Sequence, residues 1–282
     1  QPPKTVEDFQ NAAKIFTNNP KFPGVVGTAL NNQRGAAVGQ AFFEYIYNFG
    51  GKPFASTYPG SPDQYGDMTP LFDSPQGIAV VKFFKDMMEY EPPGALNIAW
   101  DQRANAFATG RIAMVAEWSV REPIYADPNR SRVMGKFATE IFPHKEGVKP
   151  VPPLGGWVMG INTYTKQKDL AWDYIKWFTS QETHKKFVLL GGPPSRLSTM
   201  QDPEVLEKVP WAKTIYETQS LTFADCRPRI PESFRIIDTV GLHVSEALEG
   251  KVSIEAAMQK TNQEIGELLR SAGYKVSEGE KK

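Results

Sequence analysis

The sequence predicts an α/β fold, a sheet flanked by helices. Short apolar runs of strand length alternate with longer stretches whose apolar residues recur at helical spacing, and no internal repeat or low-complexity tract interrupts the alternation. Gly and Pro clusters punctuate the transitions. At 282 residues the chain has room for one large domain or two smaller ones.

Pro2-Pro3-Lys4-Thr5 leads into Val6, Phe9, Ala12, Ala13 and Phe16, a helix for which Thr5 is the N-cap and Asp8 its reciprocal partner. The chain starts at Gln1 rather than Met and enters this helix at once, so removal of a preceding segment is expected. Between Asn31 and Asn48 a second helix is marked by Ala36, Ala37, Phe42, Phe43, Ile46 and Tyr47, and Gly50-Gly51 stop it. Lys52 to Asp67, rich in Gly, Pro and Ser, reads as a surface loop. Ser74-Pro75 opens a third helix that runs to Tyr90.

A short helix from Asp101 to Ala108 ends at Gly110. Ile112 to Ala116 then has the length and apolarity of a buried strand, which delivers Glu117 and Trp118 at its end. Lys136 to Phe142 and Gly155 to Ile161 read as further strands. An amphipathic helix follows from Leu170 to Phe178 and on past Glu182, with Trp172 and Trp177 expected as packing residues on it. Gly191-Gly192-Pro193-Pro194 breaks the chain. Helices are expected near Val205 to Val209, Trp211 to Glu217, Phe234 to Leu248 and Ile254 to Ser271, the last capped by Ser253. A Lys- and Glu-rich tail closes the sequence.

Composition excludes several classes. Lys plus Arg equal Asp plus Glu at 32 each, which removes the electrostatic basis for nucleic acid or an anionic membrane as the main partner. One cysteine, Cys226, supports no disulfide and no thiolate metal site, and reads as a buried apolar residue. His144, His184 and His243 lack metal-ligand spacing. No phosphate-binding glycine loop, dinucleotide turn or nucleophile elbow occurs, so no cofactor and no metal are expected. No run approaches the about 18 apolar residues of a membrane span. A 12% aromatic share, with tryptophans beside Gly or Pro, points to aromatics that face a ligand.

Four stretches, in order, resemble family 1 of the extracellular solute-binding proteins, which includes the maltose-binding and trehalose-binding proteins of ABC importers. PPKTVEDF at residues 2–9 is similar to the family's PPKTW helix start, with Val6 in place of Trp. DQRANAFATGRIAMVAEW at 101–118 resembles its helix, AM strand and terminal Trp. GGWVMGINTYTKQKDLAWDYIKWFTSQE at 155–182 resembles its GGW strand and KxKELAW helix, with Gln181 where Pro is common. RPRIP at 227–231 and the closing helices resemble its C-terminal end.

The resemblance implies a type II periplasmic-binding-protein fold with two discontinuous lobes, the N-terminal lobe largely missing. Residues 1–144 and 200–282 would form the C-terminal lobe and 145–199 would return to the other, with hinges near Gly155 and at Gly191 to Pro194. It implies the sugar- or polyol-binding component of a carbohydrate ABC importer, periplasmic or extracellular, not an enzyme, with membrane permease subunits as partners and no signal segment in this chain. Trp118 is the expected stacking plate, and Gly155, Gly156 and Trp157 allow close approach of a sugar. Arg227 and Arg229 are expected as donor forks to hydroxyls. Gln40, Phe43 and Tyr47 share one helical side where the family often places a ligand group, although core packing competes for them. The alternative is a carbohydrate hydrolase using Glu117 and Asp101 as a carboxylate pair. A half-built lobe would expose apolar surface, so dimerisation or domain swapping is expected.

Overall fold

The structure is a computed structural model that describes residues 2–56, 66–222 and 226–277. The centre of the loop expected over Lys52–Asp67 and the end of the charged tail lie outside the described residues.

Local signals set the helix starts. In α1 (Val6–Phe16) the Asp8 N–H donates to Thr5 Oγ1 at 3.0 Å while the Thr5 N–H donates to Asp8 Oδ2 at 3.3 Å, so two otherwise unpaired donors are satisfied reciprocally. α2 (Ala36–Ile46) is nearly all apolar and nearly all buried. α3 (Pro75–Met87) carries Ser74 as N-cap and proline in its first turn. α4 (Trp100–Ala108) and the short α5 (Glu122–Tyr125) flank the segment that ends in Trp118. The helix expected to run past Glu182 divides at Ser180 into α6 (Lys168–Thr179) and α7 (Gln181–Leu189), because the Ser180 hydroxyl caps the second by accepting from the Thr183 N–H.

α8 (Leu197–Met200), α9 (Pro203–Lys208) and α10 (Trp211–Gln219) follow, and Val188 of α7 clusters with Val205, Val209 and Ala212, across position 200. α11 (Ser233–Leu248) and α12 (Ile254–Ser271) close the chain. The main core joins first to last: α2 lies against α11, α11 against α12, and α3 against all three, burying Phe42, Phe84, Val240, Val244 and Ile265. α2 and α11 touch through backbone. A Cβ at Gly39 would stand 2.1 Å from the Ile237 carbonyl oxygen, and one at Gly241 2.0 Å from that of Gly35, so only glycine permits the crossing.

The expected strands are not assembled into a sheet among the described residues, which corrects the expectation of a flanked sheet there: those residues are largely helical. Ile112–Ala116 keeps a trace of parallel pairing, the Ala113 N–H donating to Val26 O at 2.9 Å and the Met114 N–H to Gly27 O at 3.0 Å. Thr5 bridges His144 in the same sense. Lys136–Phe142 and Gly155–Ile161 run without ladder partners among the described residues. A strand has no internal hydrogen bonds, so apolar sequence alone cannot complete it.

A second correction concerns α6. Trp172 and Trp177, expected as packing residues, are 53% and 58% exposed, alongside Leu170 and Tyr174. The amphipathic stripe is present, but no described element covers it.

His184, buried in α7, accepts from the Ser195 N–H through Nε2 at 3.1 Å and ties the helix to the far side of the Gly191–Pro194 break. Burial first, and Arg196 second, hold its imidazole below the ordinary value. Folded protein therefore takes up a proton less readily than unfolded chain: this stabilisation is complete above about pH 6.5 and is lost as pH falls from there through the folded value. Urea midpoints measured from pH 7.5 to 5.0 are expected to fall, with a shallower slope in His184→Gln.

Candidate functional site

Residues spread from Pro2 to Phe234 surround one cleft of about 1120 Å³. Its best-ordered corner begins with a buried ion pair. Arg103 of α4 donates from Nη2 to Glu117 Oε1 at 2.6 Å and from Nε to Oε2 at 3.2 Å, the side chains being 2% and 5% exposed. Burial works against the Arg103 cation, but Glu117 and Glu44 outweigh it and raise its pKa, so the guanidinium stays charged.

Trp118 is built on this pair. Its backbone N–H donates to Glu117 Oε1 at 2.9 Å, and its indole Nε1–H donates to Glu44 Oε1 at 2.8 Å. Burial pushes the Glu44 carboxyl above its ordinary range, against Arg103, the Trp118 indole and Arg227, which pull it down. Trp100, at the start of α4, lies beside Trp118 with ring centroids 6.0 Å apart and planes inclined 31°. Two aromatic plates thus border the cleft, suited to the apolar C–H faces of a sugar or polyol.

Polar groups sit next to the plates. Arg227 donates from Nη1 to Gln40 Oε1 at 3.4 Å, and its Nη2 lies 3.2 Å from where a Gly155 side chain would begin. Gln40, Trp118, Gly155, Gly156, Trp157 and Arg227 all line the cleft, although the Trp157 ring is 94% exposed. Three further lining groups, Trp100 Nε1, Glu122 Oε2 and Tyr125 Oη, are buried without a hydrogen-bond partner. Burial pushes the Glu122 carboxyl to about 8 and the Tyr125 hydroxyl upward as well, so both are protonated donors near neutrality.

The remaining expected residues lie elsewhere. Phe43 is fully buried against Phe42 and Phe72, and Tyr47 packs on the main core, so neither lines the cleft: core packing takes both, and of the three only Gln40 reaches it. Arg229 is exposed and outside the lining. The two carboxylates of the hydrolase alternative do not face each other as a pair. Glu117 is locked by Arg103, and Asp101 pairs with Arg121 at 2.7 Å on the surface. Cys226 is buried and unpaired.

Glu44 and Trp100 were missed by sequence reasoning. A signal existed for the first: Gln40 and Glu44 are the polar side chains of an otherwise apolar helix and stand four residues apart, hence on one face.

Residues 1–185 match the family described as bacterial extracellular solute-binding protein. A Sinorhizobium fredii protein described as a probable amino-acid ABC transporter periplasmic-binding protein is 27% identical over 279 residues, 96% of this chain and 58% of that one. A mannitol-binding protein of Pseudomonas aeruginosa is 25% identical over 210 residues, 68% of this chain and 48% of that one. Among solved structures, an ABC transporter solute-binding protein of Agrobacterium radiobacter in complex with ribitol superimposes with a TM-score of 0.82 at 34% identity, over 95% of this chain and 65% of that one. A maltose-bound T. maritima protein gives 0.82 at 23% identity, over 95% and 66%, a likeness of fold alone. The chain thus has the periplasmic-binding-protein fold and spans roughly half to two thirds of these relatives' length.

Proposed function

We propose that this chain, which belongs to the bacterial extracellular solute-binding protein family, is the part of an ABC importer's binding component that holds a sugar or polyol against Trp118. The family binds solutes without transforming them. The observation that carries the proposal is the pair of plates Trp100 and Trp118 beside the Arg227–Gln40 donor–acceptor pair and the Gly155 backbone. Stacking supplies affinity for a hydroxylated chain's C–H face, and the donors and acceptors read its hydroxyls. Ribitol and mannitol, the ligands of two similar proteins, have this chemistry.

In this reading residues 1–144 and 200–282 form one lobe and 145–199 belong to the other, with hinges near Gly155 and at Gly191 to Pro194. Support comes from the contrast in burial: α1, α2, α3, α11 and α12 share one core, whereas Trp157, Tyr164, Leu170, Trp172 and Trp177 are exposed, although Val188 packs across the second boundary on Val205, Val209 and Ala212. Closure of the lobes around ligand would be the form that membrane permease subunits read. The family's extracellular location accords with this role, and no helix among the described residues is long and apolar enough to cross a membrane.

The test is thermal unfolding with ribitol, mannitol, maltose and a set of amino acids, because a ligand of the folded state stabilises it by about 2.7 kcal/mol at a hundred times its Kd. A polyol or sugar is expected to raise the midpoint. A rise with amino acids alone would reverse the ligand class, and no rise with any would remove the proposal.

A further inference from the structure

We propose that Glu44 is the positioning residue for the Trp118 plate, a role that rests on reading the cleft as a sugar or polyol site. Trp118 is held at its backbone and at its indole. Glu117 Oε1 accepts its backbone N–H at 2.9 Å, and Glu44 Oε1, supplied by a helix 74 positions earlier, accepts its indole N–H at 2.8 Å. The first anchor is rigid because Arg103 grips both Glu117 oxygens. With the second in place, rotation about either side-chain bond would break a hydrogen bond, so the ring plane is fixed before any ligand arrives.

Packing alone does not account for Glu44. It stands in α2 among alanine, valine and phenylalanine and is 4% exposed, where a leucine would be buried without desolvation cost. Besides its charge near Arg103, the carboxyl adds an acceptor for the indole. A carboxyl oxygen accepts that N–H whether the group is ionised or protonated, so the clamp does not depend on titration. Arg227, whose charge acts on Glu44 and whose Nη1 reaches Gln40 one helical turn away, links the same face of α2 to the polar side of the cleft.

Glu44→Leu and Glu44→Gln separate the possibilities in the protein at its full encoded length. Leucine keeps the bulk and removes the acceptor; glutamine keeps an acceptor oxygen and removes the charge. Trp118 is followed by its near-ultraviolet circular dichroism, taken as the difference from Trp118→Phe in each background, and ribitol affinity by calorimetry.

Glu44→Leu is expected to flatten the Trp118 difference band and weaken ribitol binding about tenfold, and Glu44→Gln to restore both to within about twofold. In the Trp118→Phe background, which has no indole donor, Glu44→Leu is expected to change ribitol affinity less than about twofold. An unchanged band in Glu44→Leu, a glutamine variant as impaired as the leucine one, or equal losses with and without the indole would overturn the assignment. The spectroscopic comparison needs no ligand. Failure of every polyol and sugar to bind would therefore defeat the functional reading while the band still decides the clamp.

Discussion

Replacing Glu117 by alanine is expected to cost about 3 to 5 kcal/mol of folding stability, because it leaves the Arg103 guanidinium buried and unpaired. The two side chains have given up hydration and repay it chiefly to each other, through two donors on two acceptors. Removing one partner keeps the desolvation cost and discards the compensation. The damage should extend to Trp118, whose backbone N–H loses its acceptor. Arg103→Met together with Glu117→Leu should recover most of the loss, since apolar replacement of a whole buried pair is often neutral. Urea denaturation of the three variants measures this; a single Glu117→Ala variant within about 1 kcal/mol of the wild type would contradict it.

Trp118→Ala is expected to abolish measurable ribitol binding, a loss of at least about thirtyfold, with little change in unfolding midpoint. The ring is half-buried at the cleft rather than in the main core, so truncation removes ligand contact area and leaves α2, α3, α11 and α12 packed as before. Its removal also orphans no charge: Glu44 loses one donor but keeps Arg103 and Arg227 nearby. Calorimetry with ribitol, and a urea curve on the same sample, separate the two effects. Undiminished affinity would move the ligand away from this corner of the cleft.

What could be read from sequence divides by the distance over which each interaction acts. Thr5 with Asp8, Ser74 with Pro75, and Ser253 fix helix starts within four residues, and each lies where the residues predict. Strands depend on partners elsewhere in the chain, and Ile112–Ala116, Lys136–Phe142 and Gly155–Ile161 meet too few of them to form a ladder. The exposed tryptophans of α6 show the same gap in tertiary form: the periodicity gives a stripe, and nothing local says what covers it. At the cleft, Trp118 was legible from its place after an apolar run. Its surroundings were not, because Glu44 lies 74 residues away and Arg227 meets Gln40 across 187.

The glycine crossing of α2 on α11 has a consequence for the order in which the molecule is made. Gly39 meets Ile237, the Phe72 N–H donates to Asn262 Oδ1 across 190 residues, and the Met68 N–H donates to the Lys275 carbonyl. A growing chain that has emerged only to residue 230 holds α2 and α3, which can lie against each other, without the α11 and α12 that complete their packing. Such high contact order delays collapse until synthesis is nearly complete. The Arg227–Gln40 corner of the cleft likewise cannot assemble until Arg227 has been made. Both the main core and this corner of the cleft therefore wait on residues made after position 226.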